Sequence, residues 1–264
     1  MSPQISIITV VRNADKALKK TIESIREQSY SNIEYVVVDG DSTDNTLNII
    51  NENKDIINTW ISESDKGLYF AMNKGLGLAK GDFVFFMNAG DIFTSKNVIQ
   101  NITKSINDLD AVYFGYVQIC SGNVYWETKP SNNNNHIQKG DTFLPHHQSI
   151  FYPKKYYQST NYDTQFAIVG DIDFTLRACL KYPKYYIDVN TIQSQLEGFG
   201  IMAYSDLKRT LSYSGETKQL YNRYPNFYSN FEKLMILPKY LFKFLMYHIG
   251  GLKLVNIALK YYHK

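Results

Sequence analysis

Four short apolar runs alternate with segments of helical periodicity over the first third of the chain, and that alternation leaves few folds open. Ile5 to Val11, Ile33 to Val38, Thr59 to Ser62 and Asp82 to Met87 read as strands. Between them Leu18, Ile22 and Ile25, then Leu47 and Ile50, then Tyr69, Met72, Leu76 and Ala79 recur at helical spacing. Strands without polar alternation suit a sheet covered on both faces. The order β-α-β-α-β-α-β therefore predicts a parallel sheet with helices on both sides. Asn13 or Asp15 is expected to cap the first helix, Ser42 or Thr43 the second, and Gly81 ends the third.

Two of these strands stop abruptly in acids. Val36-Val37-Val38 runs into Asp39-Gly40-Asp41-Ser42-Thr43-Asp44, and Phe85-Phe86-Met87 runs into Asn88-Ala89-Gly90-Asp91. Ligands of open α/β sheets sit beyond the carboxyl ends of the strands, so the pair predicts one site for a polar or metal-bound ligand. Asp39 is placed to accept a hydrogen bond from a base N–H; a turn or cap residue is the plainer alternative, and Asp41 and Asp44 are read that way. Glu63-Ser64-Asp65-Lys66-Gly67 is dense in polar groups at a helix start. Asp65 suits an N-cap and Lys74 a solvated helix lysine, yet both suit a ribose or diphosphate equally well. The chain has neither G-x-G-x-x-G nor G-x-x-x-x-G-K-[ST], which argues against dehydrogenases and P-loop enzymes.

After Asp91 the rhythm changes. Ile99, Ile102 and Ile106 mark a helix, and Ala111 to Ile119 with Asn123 to Glu127 predict a hairpin around Ser121-Gly122. The polar stretch Lys129 to Lys139, with Asn132 to Asn135, is a solvated connector or a lid over an acceptor site. Asp163 to Lys181 reads as a loop and helix with Leu176 and Leu180 on its apolar face. From Phe231 onward Lys239, Lys243, Lys253 and Lys260 punctuate an apolar segment, and the first three share a narrow helical stripe. Such a helix suits a membrane interface, or a packing face on the domain. The expected boundaries are 1–200 for a catalytic domain and 201–264 for a helical extension.

A chain of 264 residues fits one large domain with or without an appendage. The net charge of +3 is too small to point to nucleic acid. Cys120 and Cys179 lack metal-ligand spacing and read as thiols of a reducing compartment. The N-terminus lacks a signal-peptide pattern, and no window reaches the roughly 18 apolar residues of a membrane span. A cytoplasmic protein is expected, peripheral at the inner face of the membrane if the tail binds there.

Taken in order, these motifs resemble the inverting family-2 glycosyltransferases of the GT-A fold, of the bacterial cell-surface polysaccharide type. The resemblance rests on Asp39 to Asp44, on Asp65-Lys66-Gly67 with Ala71-Met72-Asn73-Lys74-Gly75, and on Gly81-Asp82 before the strand ending in Asn88-Ala89-Gly90-Asp91. It continues more weakly through Pro145-His146-His147-Gln148 and Asp171-Ile172-Asp173-Phe174-Thr175-Leu176-Arg177, while the final 65 or so residues carry little of it. It implies an α/β architecture, a mostly parallel central sheet flanked by helices, with a helical C-terminal extension. It also implies a nucleotide-diphosphate sugar donor, most often UDP-linked, whose base lies near Thr9, Asp39 and Asp65. Asn13, Gly67, Asn73, Lys74, Asn88 and His147 would line the rest of the donor site. A histidine satisfied by packing is the alternative for His147.

In the family an Asp-x-Asp-type motif at the end of the fourth strand holds Mg²⁺ or Mn²⁺ on the diphosphate. Here Asn88 and Gly90 stand where carboxylates are common, which leaves Asp91 as the implied metal ligand. Asp171 is the implied base and Asp173 its competitor; both cannot point the same way on one helix. A helix-start acid facing the dipole is the plainer reading of either. Arg177 suits an ion pair, and Glu197-Gly198-Phe199-Gly200 loosely matches a loop at the acceptor end. The implied acceptor is a saccharide or lipid-linked saccharide in polysaccharide, lipopolysaccharide, O-antigen or capsule assembly. The departures at Asn88 and Gly90 keep open an alternative, a catalytically weak module that binds a nucleotide sugar or a partner.

Overall fold

A computed structural model describes residues 2–121, 124–129, 145–195, 206–225, 236–238, 241 and 244. The first half is the expected alternation: β1 (Ile5–Val11), α1 (Asp15–Arg26), β2 (Ile33–Asp39), α2 (Thr46–Glu52), β3 (Thr59–Ser62), α3 (Leu68–Leu78) and β4 (Phe83–Phe86). Then follow β5 (Ile92–Phe93), α4 (Val98–Lys104), β6 (Val112–Ser121), β7 (Val124–Glu127), a 3₁₀ turn (His147–Ser149) and β8 (Ile150–Pro153). Further along come α5 (Lys154–Tyr157), α6 (Gly170–Lys181), β9 (Lys184–Gln195) and α7 (Leu207–Arg223).

Neighbouring strands run in the order β3-β2-β1-β4-β8-β6-β9-β5, with β7 paired to β6. The first four are parallel, as are β6 and β9. Strand β8 is antiparallel to β4 and β6, and the β6–β7 hairpin closes Ser121 against Val124. The apolar runs are continuous because both faces are covered. Ile5 and Ile7 pack into a cluster with Leu18, Ile22 and Ile25 of α1, whereas Ile8 packs with Tyr69, Met72 and Leu76 of α3. Each such aliphatic side chain, fully buried, contributes roughly 1.5–3 kcal/mol.

Several local expectations are corrected. The first residue before α1 is Ala14 and before α2 is Asn45, neither with a side-chain cap, because Ser42 and Asn13 are engaged elsewhere. On α6 Leu176 is buried, but Leu180 is 56% exposed; the buried face runs instead through Phe174, Ala178 and Cys179. Strands β5 and β8 are too short to show a period-2 pattern, while in β9 Tyr185, Ile187 and Val189 alternate onto one core cluster; β9 pairs with β6 through register shifts. Helix α7 packs on the body of the domain, with Leu220 in the α3 and α6 cluster. Residues 130–139, Glu197-Gly198-Phe199-Gly200 and the lysines at 239, 243, 253 and 260 lie outside the described residues. Among the described residues no helix is long and apolar enough to cross a membrane.

Candidate active site

Parallel register brings the first strand ends to one edge. Val11 lies opposite Asp39, and Asp39 opposite Ser62. The edge where β1 separates β2 from β4 is where the direction of chain winding reverses, the usual position of a ligand crevice. Asp39 is fully buried there. Its Oδ1 accepts from Ser42 Oγ at 2.5 Å, and its Oδ2 accepts from Ser42 N at 3.0 Å and Ser62 Oγ at 2.6 Å. Three of a carboxylate's roughly four acceptor positions are thus used internally. The ring of contacts extends to Asn13, whose N–H donates to Ser42 Oγ at 2.8 Å and whose Oδ1 accepts from Thr43 N at 2.8 Å. Asn13 itself has φ of 50°, a left-handed conformation that asparagine tolerates better than most residues.

Asp65 approaches the same turn from β3. A Cβ on Gly40 would lie 2.9 Å from Asp65 Oδ2 and 3.4 Å from Arg12 Cβ, so glycine at 40 leaves room for the carboxylate and the arginine to flank the backbone. Asp65 Oδ1 accepts from Gly67 N at 2.9 Å. Gly67 has φ of 135°, open to glycine and to almost nothing else. Lys74 reaches back from α3 to Glu63 at 3.0 Å and the Ser64 carbonyl at 3.3 Å, steadying the segment that carries Asp65.

Two expected ligand contacts point inward instead. Thr9 shares the face of β1 that holds Ile7 and Val11; it is fully buried, donating to the Met87 carbonyl at 2.8 Å and accepting from Tyr35 at 3.1 Å. Asn73 spends its amide on the backbone of Tyr162, donating at 3.0 Å and accepting at 2.7 Å. Both are ties between segments distant in sequence.

Asp91 differs from its expected role as well. It is 4% exposed, and its Oδ2 accepts from Asn88 N at 3.0 Å and from the Gln148 amide. Burial pushes its carboxyl up to about 7, against the hydrogen bonds from Ser194, Asn88 and Gln148 that favour the anion. The carboxylate folds the 88–91 turn onto the 3₁₀ segment. Among the described residues the Asn88 side chain has no such commitment.

Gln148 leads directly to the second half of the site. Its neighbour His147 places Nε2 3.9 Å from Asp171 Oδ2. The rings of His146 and His147 stack at 5.2 Å, and burial lowers them to about 3 and about 4, so both are neutral. Asp171 opens α6 with its side chain 25% exposed. Tyr69 Oη lies 3.0 Å from Asp171 Oδ1 and 2.7 Å from the Ile168 carbonyl. Burial raises the Asp171 carboxyl, opposed by the Tyr69 hydroxyl and the Ile172 N–H. Asp173, by contrast, is fully buried and held by Arg177 at 2.8 Å, Arg223 at 2.9 Å and Tyr224 at 2.7 Å. Arg177 is therefore an ion-pair residue, as expected, and its partner is Asp173.

Asp39, Asp65 and Asp171 are thus linked in steps: Asp65 lies against the Gly40 turn, and Tyr69, four residues further on in the first turn of α3, meets Asp171. Tyr69 and Gln148 escaped the sequence reading. A tyrosine on a buried helix face reads as core, and only the need of a buried hydroxyl for a partner hinted otherwise. Gly170 is part of the same fit, since a Cβ there would lie 2.7 Å from the Tyr69 ring.

Mg²⁺ or Mn²⁺ on a diphosphate takes oxygen ligands and few protein carboxylates. The residues present do not fit an ion held by the protein itself. Asp91 is turned inward with Oδ2 doubly bonded, Gly90 offers no side chain, and Asn88 is neutral. Among the described residues no three His, Cys, Asp or Glu side chains group as a metal site.

A model of the family described as Glycosyl transferase family 2 matches residues 6–180. An uncharacterized glycosyltransferase of Mycobacterium tuberculosis is 26% identical over 229 residues, covering 85% of this chain and 86% of the relative. A PGL/p-HBAD biosynthesis glycosyltransferase of Mycobacterium bovis is 29% identical over 189 residues, 69% of this chain and 72% of its own length. Among solved structures, S. aureus TarS 1-349 in complex with UDP-GlcNAc superposes with a TM-score of 0.67 at 18% identity, covering 94% of this chain and 73% of that one. The mannosyltransferase PcManGT from Pyrobaculum calidifontis, in complex with GDP-Man and Mn²⁺, gives 0.63 at 16% identity, over 98% and 74%. The α/β architecture with helices on both faces of the sheet is the GT-A fold of these transferases.

Proposed function

The chain belongs to glycosyl transferase family 2, and on that premise we propose that it transfers a sugar from a nucleoside-diphosphate donor with inversion, Asp171 serving as base. The observation that carries this reading is the setting of Asp171: one-quarter exposed, at a helix start, with Tyr69 on one oxygen and His147 beside the other. Inversion is an in-line displacement. The acceptor O–H gives its proton to the Asp171 carboxylate as its oxygen bonds to the anomeric carbon, and the bond from that carbon to the diphosphate oxygen breaks. A positioned base contributes roughly 10²–10⁴-fold, and burial makes this carboxylate a stronger base than a solvated one. Tyr69 suits both protonation states. Its hydroxyl donates to the Asp171 anion; once Asp171 is protonated it can donate to Tyr69 Oη, whose own proton turns to the Ile168 carbonyl.

The donor's base is assigned to the turn of residues 39–43 with Asp65, the arrangement that Gly40 keeps open. Asp39 acts there by fixing the turn through Ser42 and Ser62. A UDP-linked donor is favoured by the likeness to a transferase bound to UDP-GlcNAc. Asn88 and His147 face the diphosphate in this reading, with Arg12 as the nearby cation. When a divalent ion accompanies the diphosphate it supplies charge neutralisation to the leaving group. The acceptor is assigned as a saccharide or lipid-linked saccharide of the cell surface, a reading supported by the relative named for PGL/p-HBAD biosynthesis. The basic, apolar tail would bring the enzyme to the cytoplasmic face of a membrane.

Mass-spectrometric search for product from mixed UDP-, dTDP- and GDP-sugars with a lipid-diphosphate saccharide tests the proposal, with the product's anomeric configuration read by NMR. Inverted product, lost in Asp171→Asn, is expected. Retained configuration, or full turnover by Asp171→Asn, would overturn it. The inward-turned Asp91 favours a second reading, a donor-binding module without turnover; tight UDP binding with no product from any donor would select it.

A further inference from the structure

Helix α7 grips the chain on both sides of Asp171. On the upstream side Glu216 accepts from three successive N–H groups: Ala167 at 3.1 Å to each oxygen, Ile168 at 2.8 Å and Val169 at 3.2 Å. On the downstream side Arg223 and Tyr224 hold Asp173 at 2.9 and 2.7 Å, while Arg223 also reaches Asp163 at 2.8 Å. Successive N–H groups converging on one anion form a nest, and a carboxylate is the stronger kind of acceptor for it. Helix α6 has no side-chain cap of its own, so the backbone entering it depends on Glu216. The link to the reacting end is short. Ile168 gives its N–H to Glu216 and its carbonyl to Tyr69, and the Tyr69 hydroxyl also meets Asp171.

We propose that Glu216 is a positioning residue for the transfer reaction, locking residues 167–169 so that the Tyr69 hydroxyl and the Asp171 carboxylate stay in register. Helix α7 then belongs to the catalytic apparatus rather than to an appendage. This rests on the reading of Asp171 as base. The lock acts through geometry, so its loss should be visible at Asp171 even without substrate.

The test is the titration of the Asp171 carboxyl carbon by NMR in the full chain, assigned with Asp171→Asn, for the wild type, Glu216→Ala and Glu216→Gln. The groups facing Asp171 are Tyr69 from α3, the neutral His146 and His147 from the 3₁₀ segment, and the Ile172 N–H, with Tyr152 and Tyr162 further off. Loss of the lock takes donors from the Asp171 anion and should move its midpoint up by about 0.5 unit or more. Simple removal of the Glu216 charge would move it down. An upward shift in Glu216→Ala, smaller in Glu216→Gln, is expected; an unmoved or lowered midpoint overturns the proposal. If Glu216→Ala fails to fold, Glu216→Gln carries the same signs. The second readout is UDP release from UDP-GlcNAc, where kcat should fall about tenfold with donor KM nearly constant. Full turnover by Asp171→Asn with the midpoint shifted would sink the base assignment alone. An inactive Asp171→Asn with an unmoved midpoint would sink Glu216 alone.

Discussion

The Tyr69 hydroxyl offers a single proton to two acceptors, Asp171 Oδ1 at 3.0 Å and the Ile168 carbonyl at 2.7 Å. It joins helix α3, which starts three residues beyond Asp65, to the start of α6. Substitution Tyr69→Phe removes a hydroxyl that donates to the Asp171 anion while leaving the ring to pack on Tyr162 at 5.4 Å. The anion loses stabilisation, so its midpoint rises; a base must be ionised, so with Asp171 in the role proposed above, activity should disappear at a higher pH than in the wild type. A pH profile of kcat/KM is expected to show its acid limb displaced upward, with kcat down about tenfold. An unmoved limb would break the link between Tyr69 and the base.

Asp171 and Asp173 should separate cleanly. Asp171→Asn is expected to lower kcat by about 10²-fold or more, with a melting temperature close to the wild type because its side chain is partly exposed. Asp173→Asn leaves Arg177 and Arg223 without their buried anion, and breaking such a pair costs roughly 3–5 kcal/mol when burial is complete, less here because both guanidinium groups are partly solvated. Paired melting curves and initial rates for the two variants decide the matter; the reverse pattern would exchange their roles.

Gly40→Ala tests the donor side. Its Cβ would sit 2.9 Å from Asp65 Oδ2, and the carboxylate must move. Donor KM is expected to rise about tenfold with kcat little changed, the signature of lost uniform binding. Equal KM values for Gly40→Ala and the wild type would remove Asp65 from the donor site.

Asp91 predicts a stability that depends on pH. Burial pushes its folded-state carboxyl up to about 7 from an ordinary value of 3.8. The fold therefore favours the neutral acid. That contribution is fully present below about pH 4 and is lost as pH rises through about 7, on the order of 2–4 kcal/mol. Urea unfolding at pH 5 and pH 8 should show the wild type losing stability over this interval and Asp91→Asn losing much less. Identical slopes in the two proteins would contradict the burial argument.

The donor set at the β4 end leads to a prediction about metal. Mn²⁺ alone is expected to leave the melting temperature unchanged, since Asp91 is committed to Asn88 and Gln148. Stabilisation by Mn²⁺ should require a nucleoside diphosphate. A rise of several degrees with Mn²⁺ and no nucleotide would show a protein-held ion and restore Asp91, or another group, as its ligand.

Much of this was already written in the order of the residues. Runs such as Ile33 to Val38 lack a polar alternation because α1 and α3 cover opposite faces of the sheet, so their pattern alone announces a parallel α/β core. The acids at the strand ends and the β6–β7 hairpin are legible in the same way, and so is Arg177 as an ion-pair residue, though not Asp173 as its partner. What chain order could not convey is which way each polar side chain turns. Thr9 and Asn73 look like ligand contacts in a list of motifs, yet Thr9 faces the Met87 carbonyl and Asn73 the Tyr162 backbone. Asp91 looks like a metal ligand until Gln148, 57 residues away, takes its oxygen.

Local periodicity governs which face of an element is apolar, because burial acts on every residue of that face alike. A hydrogen bond instead depends on a few tenths of an ångström between groups that only the folded chain brings together. The meeting of Tyr69 with Asp171, and of Glu216 with the amides of 167–169, is of that second kind.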